Sequence, residues 1–399
     1  MNLLRTTQRM WPALGRARIL GRAVMAIAAV SCFCAESAGY TVSVTVRDAS
    51  SSAIQGAYVW VDVTTPKWAR TDSGGMASVT NVQRKSQLVV ARHPERGSMP
   101  PLHAYINSDT NFTVTLPPRV SHRIASYNVR GYGSFYSSQV IPLAKMFWEI
   151  QPDVVMLQEC PSNAAFSIAT FASRHLPGYT TSYSYIGGPV RNGILSFHPI
   201  ISTASYKTNG TYRDLYTALI PLPGGQQVRF MSAHFASGDS ASEAARRDLE
   251  AAFIGSVASG MYAQGQLCWL GMDANDDPAD PECASDVHGI LTNRCTALVE
   301  LEPADDLGSL CTYPSWQSRL DFLAPARDLA ALVTYQHILR TETMTSRPAW
   351  LASGDSAAAS DHRMLYADMA LIPEPAAVLA LLAVACAVRR SRYTWQRRA

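Results

Sequence analysis

The residues best equipped for chemistry sit at the edges of apolar runs. Asn128 follows the run at 124–127, Glu159 follows 154–157 and His234 follows 228–233. Asp273 and Asn275 come after the run at 267–270, Asp321 after the short segment at Leu320, and Asp361 with His362 just before the run at 364–370. Short apolar runs read as strands, and the ends of neighbouring strands converge, so these side chains can share one cleft. Their chemistry suits a hard divalent cation and a phosphate ester. Magnesium takes oxygen ligands and keeps several waters, so Glu159 and the amide oxygen of Asn128 would hold it, with Asp361 as second carboxylate and manganese or calcium as alternatives. Hydrolysis of a phosphodiester also needs a water, a group to orient or deprotonate it, and donors for the charge that builds on phosphate. His234, His362, Asp273 and Asn275 are the candidates for those roles, and Asp321 can fix the tautomer of His362 by holding one ring nitrogen. Taken singly, each has a structural explanation, since strand-end Asp and Asn residues form turns and a lone Glu or His commonly has a structural partner. Their ordered recurrence is what points to a site.

The elements that must position these residues alternate between strand and helix over residues 119–372, which predicts an α/β core. Residues 123–127 read as a strand. Val140, Ile141, Leu143, Ala144, Phe147 and Trp148 fall at helical spacing, and Gln151-Pro152-Asp153 ends that helix. Pro223-Gly224-Gly225 between two apolar runs predicts a hairpin, and residues 244–257 predict a helix. Upstream, residues 40–118 show only short alternating strands, at 41–47, 57–63, 87–91 and 111–116, with a turn at Asp72-Ser73-Gly74-Gly75 and no catalytic constellation. Pro117-Pro118 marks the boundary.

Both ends differ in composition from this body. Residues 1–39 carry five arginines, an apolar stretch over 23–34 and small residues at 37–39, the pattern of a secretory signal peptide. Residues 373–399 begin Pro373-Glu374-Pro375, continue with an apolar run to Val388 and end in an arginine cluster. A run that short is marginal for spanning a bilayer. The formal net charge is +3, but each end segment carries +4, which leaves −5 for the body and argues against a tight grip on long duplex nucleic acid. In an oxidising compartment a disulfide among Cys283, Cys295 and Cys311 is expected, without a choice of pair, whereas Cys160 and Cys268 lie on apolar runs as core residues.

The segments Ser126-Tyr127-Asn128-Val129-Arg130-Gly131, Pro152-Asp153-Val154-Val155-Met156-Leu157-Gln158-Glu159, Ala233-His234-Phe235, Asp273-Ala274-Asn275, Arg319-Leu320-Asp321-Phe322 and Ser360-Asp361-His362-Arg363 resemble the sequential motifs of the endonuclease/exonuclease/phosphatase superfamily. The resemblance implies a four-layer α/β/β/α sandwich and a metal-dependent phosphoesterase. It matches Asn128 and Glu159 to metal-site residues, with Asp361 as a further acidic group. His234 and His362 match the catalytic histidines, Asp273 and Asn275 the pair contacting water and phosphate, and Asp321 the partner of His362. Arg213 matches a phosphate-contacting arginine through a weak local motif. Met272 stands where glycine is usual and Tyr127 where tryptophan is common. Gln55-Gly56-Ala57-Tyr58-Val59 and Thr71-Asp72-Ser73-Gly74 resemble carboxypeptidase-regulatory-like β-sandwiches, and the tail resembles PEP-CTERM sorting signals, which a membrane protease removes. The chain is thus expected to be an exported monomer, transiently tethered at the cell envelope, that hydrolyses a phosphodiester. Nucleic acid leads as substrate, ahead of phospholipid head groups and small phosphates. A surface-binding protein with vestigial site residues is the alternative of another class.

Overall fold

The computed structural model describes residues 39–131, 135–163, 167–186, 188–280 and 284–371. The expected leader (but for its last residue), the tail from Pro373 onward and Cys283 lie outside the described residues.

Alternating Val42, Val44 and Val46 bury one face of β1 (Tyr40–Arg47) and set the pattern for a small β-sandwich. The other strands are β2 (Tyr58–Val61), β3 (Lys67–Arg70), β4 (Met76–Val82), β5 (Lys85–Arg92), β6 (Leu102–Ile106) and β7 (Thr110–Thr115). They form a three-stranded sheet, order β4-β1-β7, and a four-stranded sheet, order β3-β2-β5-β6. The β1 valines share one apolar cluster with Val59, Val61, Val89 and Ala91.

The larger body has two sheets. A six-stranded sheet runs in the order β10-β11-β9-β8-β18-β17, from Thr180–Tyr183, Val190–Ser196, Val154–Pro161, Ser121–Asn128, Met364–Ala370 and Val333–Leu339. A five-stranded sheet runs from β12 to β16 in chain order: Ser202–Tyr206, Leu215–Pro221, Gln227–His234, Cys268–Asp273 and Asp321–Pro325. Helices α1 (Ser137–Ile150) and α2 (Ile168–His175) cover the first sheet, with Leu143, Phe147 and Phe171 packed among Tyr127, Leu157 and Leu195. Helix α3 (Ala241–Ala263) covers the second with Ala251, Ile254 and Ala258. The sheets approach closely where Gly271 lies: a Cβ there would meet Met156 Cβ and Ser126 Oγ at 2.8 Å. Gln158 ties them together, its Nε2 donating to Ser232 Oγ at 3.2 Å and to the Gly271 carbonyl at 3.3 Å. The architecture is the α/β/β/α sandwich expected, preceded by an all-β sandwich.

Strands β3, β4, β6, β10, β12 and β17 were not evident from the sequence, and all six are sheet edges. Helix α3 extends past both expected ends, capped by Ser240, whose Oγ accepts from Glu243 N at 3.3 Å. Cys295 and Cys311 are free thiols, so the pairing between those two is absent; burial in apolar surroundings accounts for Cys160 and Cys268.

The sandwich docks on the helical side of the body. Trp60 meets Trp148 edge-on, ring centroids 6.0 Å apart. Asp153, expected at the end of a helix and inside the motif that runs to Glu159, is the hub of the junction: its carboxylate accepts from Arg92 Nη2 at 3.0 Å, Arg119 Nη1 at 2.7 Å and Arg123 N at 3.0 Å. Burial works to raise the Asp153 carboxyl, yet Arg119, His198 and Arg92 hold it well below the usual carboxylate range.

Candidate active site

Strand direction explains how scattered residues meet. β8 and β9 run parallel, so Asn128 and Glu159 emerge side by side. β14 and β15 are also parallel, placing His234 opposite Asp273. β16 is antiparallel to β15, so Asp321, the first residue of its strand rather than the last, pairs with Asp273 at the same edge. β18 is antiparallel to β8 and brings Asp361 and His362 there from its upstream end.

Asp273 is the centre. Its Oδ2 accepts from Asn128 Nδ2 at 2.8 Å and lies 3.3 Å from His234 Nε2 and 3.8 Å from His362 Nε2. Its Oδ1 accepts from Asn275 N at 3.0 Å. Glu159 Oε1 lies 3.3 Å from Asn128 Nδ2 and 3.9 Å from His234 Nε2. The other ring nitrogen of His362, Nδ1, is 2.8 Å from Asp321 Oδ2. Arg130, Glu159 and Asn275 all have φ near +50°, and left-handed non-glycine residues cluster where a site overrides backbone preference. Gly131 permits the turn at Glu159, because a Cβ there would lie 2.6 Å from the Glu159 carbonyl.

The electrostatics separates the two imidazoles. Burial alone would lower His362, but Asp321 and Asp273 raise it to about 10, so it is a cation at neutral pH. Burial, with Arg213 and His362 nearby, drives His234 well below its ordinary value, so it is neutral. Burial raises Asp273 to about 6 against the pull of His362, with Asp321 adding to the rise. Glu159 is raised by burial and then by Asp273.

Two groups have ligand atoms within 4.8 Å of one another: Glu159, His234 and Asp273, and Asp273, Asp321 and His362. The first fits a hard divalent cation, since its two carboxylates repel each other and a positive ion would relieve that. The second fits poorly, because a protonated His362 has no lone pair to offer.

Several residues differ in detail from expectation. Asn128 turns its nitrogen toward the carboxylates while its oxygen, the atom expected to meet the ion, accepts from Arg130 N at 3.0 Å. Asp361 stands outside both groups, paired with Arg130 Nε at 3.2 Å, though near enough to act on Glu159 and His362. Arg213 donates from Nη1 to the carbonyls of Phe235 at 2.9 Å and His234 at 3.4 Å, beneath the site. Asn275 donates from Nδ2 to Phe235 O at 3.1 Å, which fixes its side chain. Three groups escaped the sequence reading. Thr312 Oγ1 accepts from Asp321 N at 3.0 Å, the Tyr313 ring lies 4.9 Å from that of His362, and Trp316, 67% exposed, packs edge-on against Tyr313. Their signal was an aromatic pair just ahead of Arg319-Leu320-Asp321, in a stretch without helical or strand spacing.

No family model matches the sequence, and no curated protein matches it. Among solved structures the chain is similar to an endonuclease/exonuclease/phosphatase from Bacteroides vulgatus, at 15% identity over 64% of this chain and 100% of that one, TM-score 0.48. It is also similar to one from Beutenbergia cavernae, at 17% identity over 63% of this chain and 72% of that one, TM-score 0.46. A third is a 3'-5' exonuclease from Neisseria meningitidis, at 15% identity over 62% of this chain and 99% of that one, TM-score 0.45.

Proposed function

We propose that the chain is a metal-dependent phosphodiesterase that cleaves nucleic acid by attack of water on phosphorus. The observation that carries this reading is Asp273, shared between a carboxylate–imidazole cluster suited to a cation and the charged Asp321–His362 pair. Glu159, beside Asp273, would hold a divalent ion that would supply Lewis-acid polarisation of a phosphate oxygen; Asn128, whose nitrogen faces the cluster, and Asp361, paired with Arg130, would have to turn to join as ligands. Asp273, raised to about 6, takes the proton of the attacking water, and Asn275 orients that water. Neutral His234 donates from Nε2 to a non-bridging phosphate oxygen. As the water oxygen bonds to phosphorus and the bridging P–O bond breaks, the His362 imidazolium gives its Nε2 proton to the departing alkoxide. Asp321 keeps the ring aligned throughout. The proton left on Asp273 then returns to His362 across 3.8 Å, which resets the site.

Nucleic acid is favoured over a lipid head group by Tyr313 and Trp316, which offer an aromatic face beside His362 on which a base can stack. The leader and tail in the sequence fit export and envelope sorting, with a sorting protease acting on the tail. The test is hydrolysis of single-stranded DNA, plasmid DNA, sphingomyelin and bis(p-nitrophenyl) phosphate, with magnesium, manganese or calcium and again with chelator. Metal-dependent cleavage of DNA is expected. Turnover of sphingomyelin alone would reassign the substrate, and no turnover of anything would remove the enzymatic reading.

A further inference from the structure

The edge that carries Glu159 and Asp273 continues on both sides of them. On one flank the chain turns from β10 to β11. Tyr183 pairs with Gly193 and Arg191 with Cys160, so this turn, with Tyr185 in it, stands at the end of β9 that carries Glu159. In the other sheet Tyr216 pairs with Ser232, which sets the segment before β13, Tyr212 included, at the end of β14 that carries His234. Asp214 joins the two segments: Ser184 Oγ donates to its Oδ2 at 2.6 Å and Asn192 Nδ2 to its carbonyl at 2.7 Å. On the opposite flank Tyr313 lies against His362 and Trp316 against Tyr313. Strands β9 and β8 separate β11 from β18, so the flanks are about 14 Å apart at the usual strand spacing.

The rings on these flanks are open to solvent: Tyr185 is 83% exposed, Tyr212 52% and Trp316 67%. Positive charge accompanies them. The Arg191 guanidinium lies 5.9 Å from the ring centroids of both Tyr183 and Tyr185, and that of Arg246 lies 3.7 Å from the centroid of Tyr212. On the other flank the exposed Arg130 sits beside Asp361 and near enough to act on Tyr313. Single exposed aromatic side chains need no explanation. Rings with guanidiniums on both sides of one catalytic edge suit a polyanion whose bases can stack. A duplex hides its base faces against their neighbours, whereas an unpaired strand offers them to rings. The net negative charge of the body also disfavours a long duplex.

We propose that these rings are base-stacking platforms on both sides of the scissile phosphate, Tyr185 and Tyr212 on one side and Trp316 on the other, and that the substrate is an unpaired nucleic-acid strand cut internally, a substrate class that rests on the phosphodiesterase reading of the same edge. A strand held on both sides of the bond that breaks needs no free end. DNA and RNA share the chemistry that the platforms recognise.

The test has a binding arm and a cleavage arm. In chelator, where binding is read whether or not the chain turns over, the full chain is titrated into a labelled strand of about ten nucleotides, as DNA and as RNA of one sequence, and followed by fluorescence anisotropy. The tighter of the two names the source. Tyr185→Ala, Tyr212→Ala and Trp316→Ala should each weaken binding by about 5- to 100-fold. Tyr185→Phe and Tyr212→Phe keep a ring face and should stay within about threefold of the parent. An abasic strand keeps the phosphates without the bases, so the Ala substitutions should change its binding by less than about twofold. With magnesium, circular single strands of the tighter-binding kind, which have no end, should be cut. Equal losses on the abasic and complete strands, or no loss on either, overturn the platforms. Circles that stay intact while linear strands are shortened overturn internal cutting. No hydrolysis of any substrate would remove the phosphodiesterase reading and the internal cut with it, while base-dependent binding would still stand.

Discussion

Replacing Asp321 by Asn is the most searching test of the proposed chemistry. Asp321 is fully buried and its Oδ2 lies 2.8 Å from His362 Nδ1. The substitution keeps the shape of the side chain, so the fold should persist while the charge is lost. A hydrogen bond to a charged partner contributes about 1.5 to 3 kcal/mol. The same energy expressed as proton affinity is roughly one to two pH units. His362, held up to about 10 by Asp321 and Asp273, is charged below that value and loses its charge as pH rises through it. The alkaline limb of the kcat profile should therefore move toward neutrality by about one to two units in Asp321→Asn. Because His362 would still titrate above neutrality, the fall in kcat should lie on the alkaline side, reaching roughly 10- to 100-fold above pH 10 with little change at neutral pH. The assay is steady-state hydrolysis of bis(p-nitrophenyl) phosphate with saturating magnesium, with thermal unfolding as a check on the fold. A folded variant within threefold or so of the parent rate at that alkaline pH, with an unmoved alkaline limb, would show that His362 does not donate as a cation.

Glu159→Gln should raise the magnesium concentration for half-maximal activity by on the order of a hundredfold, read from a metal titration. In chelator the same variant should be no less stable than the parent, since it removes a carboxylate that Asp273 repels. Asp153→Asn breaks a buried pair and leaves Arg92 and Arg119 uncompensated, at a cost of about 3 to 5 kcal/mol, so the melting temperature should drop by on the order of 10 °C. A drop of a degree or two, measured by calorimetry, would contradict the hub role of Asp153. His122 is lowered to about 4, so its neutral form contributes stability that is complete above the unfolded value near 6.5 and is lost as pH falls toward 4. That loss amounts to about 3 kcal/mol, and acid titration of stability should be correspondingly shallower in His122→Gln; equal slopes would rule His122 out.

The catalytic edge was legible in the sequence because polar residues that interrupt apolar runs are conspicuous, and strand ends are where such residues can meet. Asn128, Glu159, His234 and Asp273 follow that rule directly. Asp321 and His362 were found as well, although they open strands or precede them; only the antiparallel pairing of β16 and β18 explains their place. Orientation was not legible. Which atom of Asn128 faces the cluster, and that Asp361 turns to Arg130, depend on distances between segments far apart in the chain. Thr312 and Tyr313 were missed because irregular loops have no period to read. The edge strands were missed for a related reason: Thr180–Tyr183 and Ser202–Tyr206 have no apolar alternation.

The proline pair at 117–118 looks like a natural place to cut the chain, yet the physical seam does not follow it. A fragment starting at Arg119 would keep Asp153 and lose Arg92, and would uncover Trp148 where Trp60 had covered it. Such a fragment would start life with half of an ion cluster and a bare indole, so the small sandwich behaves as the missing wall of its neighbour's interior. Grafting either half onto another partner would require that wall to be rebuilt.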